Sequence, residues 1–351
     1  VTDAGPVRLV VPGPLETRTG GFIYDRHIAH GLEGLGRLDD VVCLQGAYPE
    51  PAAGELARDL ALLGERRGMT VIDGLCFTAL AAARDYRPWP GQTVALVHHP
   101  LADETGPGEQ ARARLLETER RALATACGCI VTSAATGRRL AEFGCGPGRV
   151  RVVPPGLERP APGPVRSPGG GPLRLLCVAT LVPRKGHDVL LAALAELSDL
   201  DWTLDLVGPA RDRDWARHVE RLVADHSCSG RIRLNHEVPD PAGFYRRADL
   251  FVLASRHEGF GMALAEALAA GLPVVSCRTG AIPGTVPEDA GILVPPDDPP
   301  ALAGALRRVI ADPALRSGMA AAAHRAGERF ADWETTARRF AAAVDALAGG
   351  G

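Results

Sequence analysis

The chain has 351 residues, 46% of them hydrophobic and 23% charged, with a formal net charge of -3. That length suggests about two domains, and the near-neutral balance gives no field that would point to nucleic acid or an anionic membrane. Aromatic residues at 5% disfavour a base-stacking protein, and no run of about 18 apolar residues reads as a membrane span.

From the amino end, short β-rich runs alternate with helical patterns. VRLVVPG (7–13) predicts a strand, GGFIYDRHIAHGL (20–32) a helix, DDVVCLQ (39–45) a strand and residues 52–67 a helix. TVIDGLCF (70–77) and TVALVHH (93–99) both read as strands. A charged helix over 108–127, a strand at CIVTS (129–133), a short helix over 134–143 and a strand at VRVVPPG (150–156) complete the first half. RPAPGPVRSPGGGP (159–172) is nearly all Pro, Gly and small polar residues, which neither a helix nor a central strand tolerates.

The second half restarts the alternation. Strands are expected at 173–181, 202–209, 231–238, 250–255 and 273–277, with helices over 186–198, 213–226, 241–248 and 260–270 between them. Helices near 299–311, 313–329 and 332–348 follow. Strands separated by helices of this length imply right-handed crossovers and parallel sheets. The expected fold is α/β, two Rossmann-like doubly wound domains facing a cleft. Residues 1–158 form the first domain, 159–172 a linker, 173–331 the second domain and 332–351 a closing helix.

The opening VTDAGPVRLVVPG lacks a basic segment followed by an apolar one, so no secretory leader is read there. Most of the eight cysteines lie in apolar runs and none forms a CxxC pair, so they read as reduced core residues and a cytoplasmic setting is expected.

Two stretches carry chemistry. In PRKGHD (183–188), Lys185 is the only lysine among 39 basic residues counted as Lys and Arg. A chain that uses arginine wherever either residue suffices has kept one compact, point-like cation, beside Arg184. In RHEGFGMALAEALAAGLPVVS (256–276), Glu258 stands in a strand-to-helix loop and Glu266 about two turns along the helix. Gly259 and Gly261, around Phe260, allow unusual backbone angles and close approach of a ligand. The start of that helix offers unpaired N–H groups to a phosphate, and a carboxylate in such a loop can accept from sugar hydroxyls. On the residues alone, Glu258 could instead cap the helix and Glu266 face solvent.

Glu-x7-Glu after an apolar strand, with EGFG at its head, resembles the signature of the retaining family 4 glycosyltransferases of the GT-B fold. The resemblance implies that Glu258 contacts the donor sugar and Glu266 the nucleotide ribose. LCVATLVPRKGHDVLL resembles the family's diphosphate grip, which implies that role for Arg184 and Lys185. In the first half, LVVPGPLETRTGGFIYDRHIAHGL resembles the opening strand and Gly-rich loop, with the Gly20 and Gly21 backbone approaching phosphate. TVALVHHPLADETG implies a histidine near the anomeric carbon, His98 first and His99 second. HEVPD (236–240) lies where the family loop borders the base, with Val238 as the contact, and the last helix with Trp333 is expected to cross back onto the first domain.

The resemblance thus implies a retaining, metal-independent hexosyltransferase without a cofactor. Its donor is a nucleotide-sugar, a UDP-sugar first and GDP-mannose second, and its acceptor a soluble small molecule. Asp212-Arg-Asp214 has the DxD form but reads as a helix start, so no metal site is assigned. No nucleic-acid partner is expected, nor membrane association, since the charges over 108–121 are mixed. A sugar-nucleotide epimerase or a non-catalytic nucleotide-sugar-binding protein on the same scaffold is the alternative.

Overall fold

Each half of the chain builds its own parallel sheet. The computed structural model describes residues 5–64, 68–105, 108–158, 171–236, 238 and 240–349. The Pro/Gly stretch expected as a linker lies, through residue 170, outside the described residues.

The first unit takes in the chain up to Gly156 and again from Ala331. Its elements are β1 (Val7–Val11), α1 (Gly20–Gly34), β2 (Leu38–Cys43), α2 (Ala53–Leu63), β3 (Met69–Asp73), α3 (Gly74–Ala83), β4 (Thr93–Val97), α4 (Glu109–Ala124), β5 (Gly128–Val131), α5 (Ala134–Arg139) and β6 (Val150–Val152). The strands lie in the order β2-β1-β3-β4-β5-β6 and pair in parallel. Strands such as VRLVV and TVALV are apolar along both faces because helices cover both. The succession reverses direction between β1 and β3, the crevice where such sheets receive ligands.

The second unit, Leu157–Phe330, contains β7 (Leu173–Val178), α6 (His187–Ala195), β8 (Trp202–Val207), α7 (Arg213–Ala224), β9 (Ile232–Asn235), α8 (Ala242–Arg247), β10 (Leu250–Leu253), α9 (Met262–Ala269), β11 (Val274–Cys277), α10 (Ile282–Thr285), β12 (Gly291–Val294), α11 (Pro299–Ala311) and α12 (Pro313–Gly327). Its order is β12-β11-β10-β7-β8-β9, again parallel, and it reverses between β7 and β10. Asp212 caps α7 by accepting from the N–H groups of Asp214 and Trp215, both at 3.0 Å, so the DxD string is a helix start.

A last helix, α13 (Trp333–Ala348), belongs to the first unit and packs on α1. Phe340, Val344 and Leu347 join Tyr24, Ile28 and Leu32 in one buried cluster, and the Trp333 indole stacks on His27 with ring centroids 4.1 Å apart.

The structure corrects the sequence expectation at three places. TVIDGLCF is not one strand: β3 ends at Asp73 and α3 starts at Gly74. The Asp73 carboxylate accepts from the Leu75 N–H at 2.6 Å and caps the helix, and a short apolar run does not by itself distinguish strand from buried helix. GILV forms a further edge strand, β12, where no strand was expected. α9 begins at Met262, so Glu266 is its fifth residue, one turn in rather than two.

Candidate functional site

In the second unit, the residues singled out by the sequence gather at the reversal point between β7 and β10. Pro183–Lys185 fold as one 3-10 turn, and Gly186 both ends it and opens α6. Gly186 has φ +63, and a Cβ there would lie 2.0 Å from the Ala254 carbonyl oxygen, so the turn needs glycine for conformation and for space. This close approach brings the turn against the loop after β10. Lys185 Nζ donates to Glu258 Oε1 at 2.5 Å, and Ser255 Oγ donates to the same oxygen at 2.7 Å. Arg184 Nη1 donates to the His257 carbonyl at 2.8 Å and stands 3.8 Å from Glu258 Oε2.

Glu258 is 5% exposed. Burial alone would push its carboxyl up, but Lys185 and Arg184 outweigh that and, with the Lys185 and Ser255 hydrogen bonds, hold it down at about 2. Burial pushes the Lys185 ammonium below its ordinary value, with Glu258 pulling against it. The two side chains form a salt bridge, with Glu258 ionised at neutral pH. An ammonium has three N–H donors, so Lys185 can keep Glu258 and still address a phosphate oxygen.

Arg256 has a role that the sequence reading missed. Its guanidinium donates to the Pro183 carbonyl at 2.5 Å and to both Asp188 oxygens at 3.1 and 2.8 Å, and its Nε donates to Asp297 at 2.7 Å. Arg256 thus staples the Pro183–Lys185 turn and the first turn of α6 to the loop that carries Glu258. The signal was its place two residues before Glu258.

Glu266 faces a different partner. Its Oε2 accepts from the Tyr245 hydroxyl at 2.7 Å. Burial pushes the carboxyl up to about 7; the Tyr245 bond opposes this, and Glu158 and Asp240 add to it. Gly261 takes the left-handed φ of +87 that the sequence predicts near the helix start. Gly259 is buried, and half-buried Phe260 meets the Phe330 ring edge-on at 6.3 Å. Val238 packs partly buried against the second unit's core.

In the first unit, His98 follows β4 directly. Its Nε2 lies 3.2 Å from Asp25 Oδ1 and 3.1 Å from Asp73 Oδ2. His99 is turned to another partner, Glu104 Oε1, at 2.6 Å. Gly20 and Gly21 are the first two residues of α1 rather than a loop before it, and a Cβ on Gly21 would meet the His98 ring at 3.2 Å. Burial would lower the His98 imidazole, but Asp25 and Asp73 lift it to about 10. Burial and the neighbouring Asp73 raise Asp25 to about 7, against the pull of His98. Burial alone would raise Asp73 too, yet hydrogen bonds from His98 and the Leu75 N–H leave it lowered.

The donor atoms of Asp25, Asp73 and His98 lie within 4.8 Å of one another, but Nε2 sits at hydrogen-bond distance from both carboxylates, and protons alone can balance the charge. We read a proton-sharing cluster. Neither aspartate was singled out in the sequence. Asp25 interrupts the buried stripe Phe22, Ile28, Ala29 and Leu32 of α1, which is a readable signal. Asp73 was hidden inside the overlong strand.

Residues 172–312 match the family described as "Glycosyl transferases group 1". That match falls within the second unit, and it supports the resemblance to family 4 glycosyltransferases that the EGFG and PRKG stretches imply. It is 31% identical over 248 residues to a D-inositol 3-phosphate glycosyltransferase of Thermomonospora curvata, a match covering 63% of this chain and 57% of that protein. The chain spans about half the length of the curated relatives it matches. Among solved structures, a sucrose-phosphate synthase from Thermosynechococcus elongatus superposes with a TM-score of 0.80 at 24% identity, over 96% of this chain and 97% of that one. Anabaena HepE in complex with UDP-glucose gives 0.76 at 18% identity, over 97% and 99%. These likenesses show the fold, two Rossmann-like units of the GT-B type. No helix among the described residues is long and apolar enough to cross a membrane.

Proposed function

We propose that this chain is a retaining glycosyltransferase that moves a hexose from a nucleotide-sugar to a hydroxyl of a small soluble acceptor. The observation that carries the reading is the Arg184, Lys185 and Glu258 cluster at the reversal point of the group 1 domain. Arg184 and Lys185 supply positive charge to the departing diphosphate, the interaction that strengthens as the bond to the anomeric carbon breaks. Because two side chains fill that role, the proposal assigns no metal.

Glu258 accepts from the donor sugar through Oε2, since Oε1 is taken by Lys185 and Ser255. Glu266 accepts from the ribose, and Val238 with the Gly259, Phe260 and Gly261 segment completes the donor contacts. By resemblance, His98 and the backbone of Gly20 and Gly21 are the first unit's contacts to the same donor. The acceptor hydroxyl attacks from the face the diphosphate leaves, so configuration is retained, and the leaving phosphate takes the proton. A UDP-sugar is the preferred donor, supported by the UDP-glucose complex of the HepE neighbour, with GDP-mannose second. The name of the curated relatives supports a small polyhydroxylated acceptor. The setting proposed is cytoplasmic, in keeping with eight free cysteines.

Calorimetric binding of UDP, GDP and ADP, to the protein and to Lys185→Ala, tests the reading. The expected result is tight binding of one diphosphate, UDP first, weakened in the variant. If none of the three binds, the donor site is not there.

A further inference from the structure

His98 is held in a way that no feature of the second unit explains. Three elements of the first unit meet at the reversal between β1 and β3: the second turn of α1 brings Asp25, the end of β3 brings Asp73, and the end of β4 brings His98. Asp25 is 1% exposed and Asp73 3%. Asp73 cannot swing away without releasing α3, because its other oxygen accepts from the Leu75 N–H at 2.6 Å. The His98 carbonyl accepts from Thr132 Oγ1 at 3.2 Å, and the ring is packed between Gly21 and the edge of Tyr24, 5.3 Å away. Asp73 is held ionised, and an ionised carboxylate only accepts, so Nε2, 3.1 Å from its Oδ2, carries a proton. That leaves Nδ1 as the ring nitrogen that can meet a ligand.

We propose that Asp25 and Asp73 are positioning residues that clamp Nε2 of His98, keep the ring as an imidazolium and so leave Nδ1–H as a fixed donor to an oxygen of the bound sugar-nucleotide. The inference rests on the reading of His98 as a donor contact. A neutral histidine free to choose its tautomer would present either a donor or an acceptor at Nδ1; the clamp removes that choice. The ligand group it fits is a hydroxyl or phosphate oxygen, not an N–H. The other titratable groups around the cluster are Tyr24 on α1 and Cys76 on α3, and burial raises both well above their ordinary values, so both stay neutral. His99 is turned to Glu104 and takes no part.

Histidine ring NMR of the full chain tests this, with the His98 signal assigned by its loss in His98→Gln. In the unaltered protein His98 is expected to stay charged through pH 8.5. In Asp25→Asn, which caps no helix, its titration midpoint is expected to fall by about one unit or more, roughly tenfold in proton affinity, and turnover is expected to gain a loss on the alkaline side of that midpoint. Asp25→Glu should restore both. Asp73→Asn should shift the same signal, with circular dichroism reporting whether α3 survives. A His98 midpoint near 6.5 in the unaltered protein overturns the clamp, and so does an unchanged midpoint in Asp25→Asn. A shifted midpoint with an unchanged pH profile of turnover overturns its role in the reaction. Nucleotide binding by calorimetry judges the donor reading separately in each case.

Discussion

Lys185 shows what one side chain is asked to do here. It neutralises Glu258 within the fold and, on the proposed reading, the diphosphate of the donor. Lys185→Ala is therefore expected to lower kcat by about 100- to 1000-fold, the loss seen when a charge-stabilising group is removed from a transition state. Near-normal sugar transfer by that variant would remove Lys185 from the mechanism. Glu258 also marks the stability of the domain. Its folded value, about 2, lies below its ordinary 4.5, so it stabilises the fold fully above pH 4.5 and loses that contribution as pH falls toward 2. The difference is worth roughly 3 kcal/mol at most. Thermal unfolding of Glu258→Gln across that window is expected to be flatter than that of the unaltered protein; parallel curves would mean that the ion pair contributes nothing net.

On the proposed reading two elements set the donor site, the Pro183–Lys185 turn and α9. Gly186→Ala forces a left-handed residue to carry a Cβ against the Ala254 carbonyl, and unfolding should record a loss of about 1–3 kcal/mol, with nucleotide binding weakened too. A stable variant with full affinity would show that the turn has slack. Beside α9, Tyr245→Phe on α8 removes the donor to Glu266 and keeps the ring that stacks on Phe251. It should weaken nucleotide binding about tenfold, in line with a hydrogen bond to a charged group, and equal affinities in calorimetry would release Tyr245 from that role. The same elements show what the sequence made legible. EGFG and PRKG could be read because glycines and charges punctuate apolar strands. α3 could not, because Gly74–Phe77 continues the apolar run of β3 and only the Asp73 cap separates them. β12 is four residues long and weakly patterned. Asp73 and Arg256 act through contacts between segments distant in the chain, which no local period records, whereas Asp25 shows in the sequence only as a charge within the buried stripe of α1.

At the scale of the molecule, each unit owns a core, and the last helix of the chain completes the first one. Phe340 is fully buried in the cluster with Tyr24, Ile28 and Leu32, so Phe340→Ala should cost that unit about 3–5 kcal/mol. Calorimetric unfolding is expected to show one transition lowered while nucleotide affinity, proposed to rest chiefly on Arg184, Lys185 and Glu266 of the second unit, largely holds. Both transitions falling together would mean that the units unfold as one. The single lysine of these 351 residues has a further consequence. A lysine-specific endoprotease finds one peptide bond to cut, Lys185–Gly186, and it needs an extended, mobile segment to do so. The bond lies instead in a tight turn, tied down by Arg256 and pressed against Ala254. Cleavage has to wait for that turn to open, so the rate of one cut becomes a clock for local opening. A nucleotide seated on Lys185 should slow the clock.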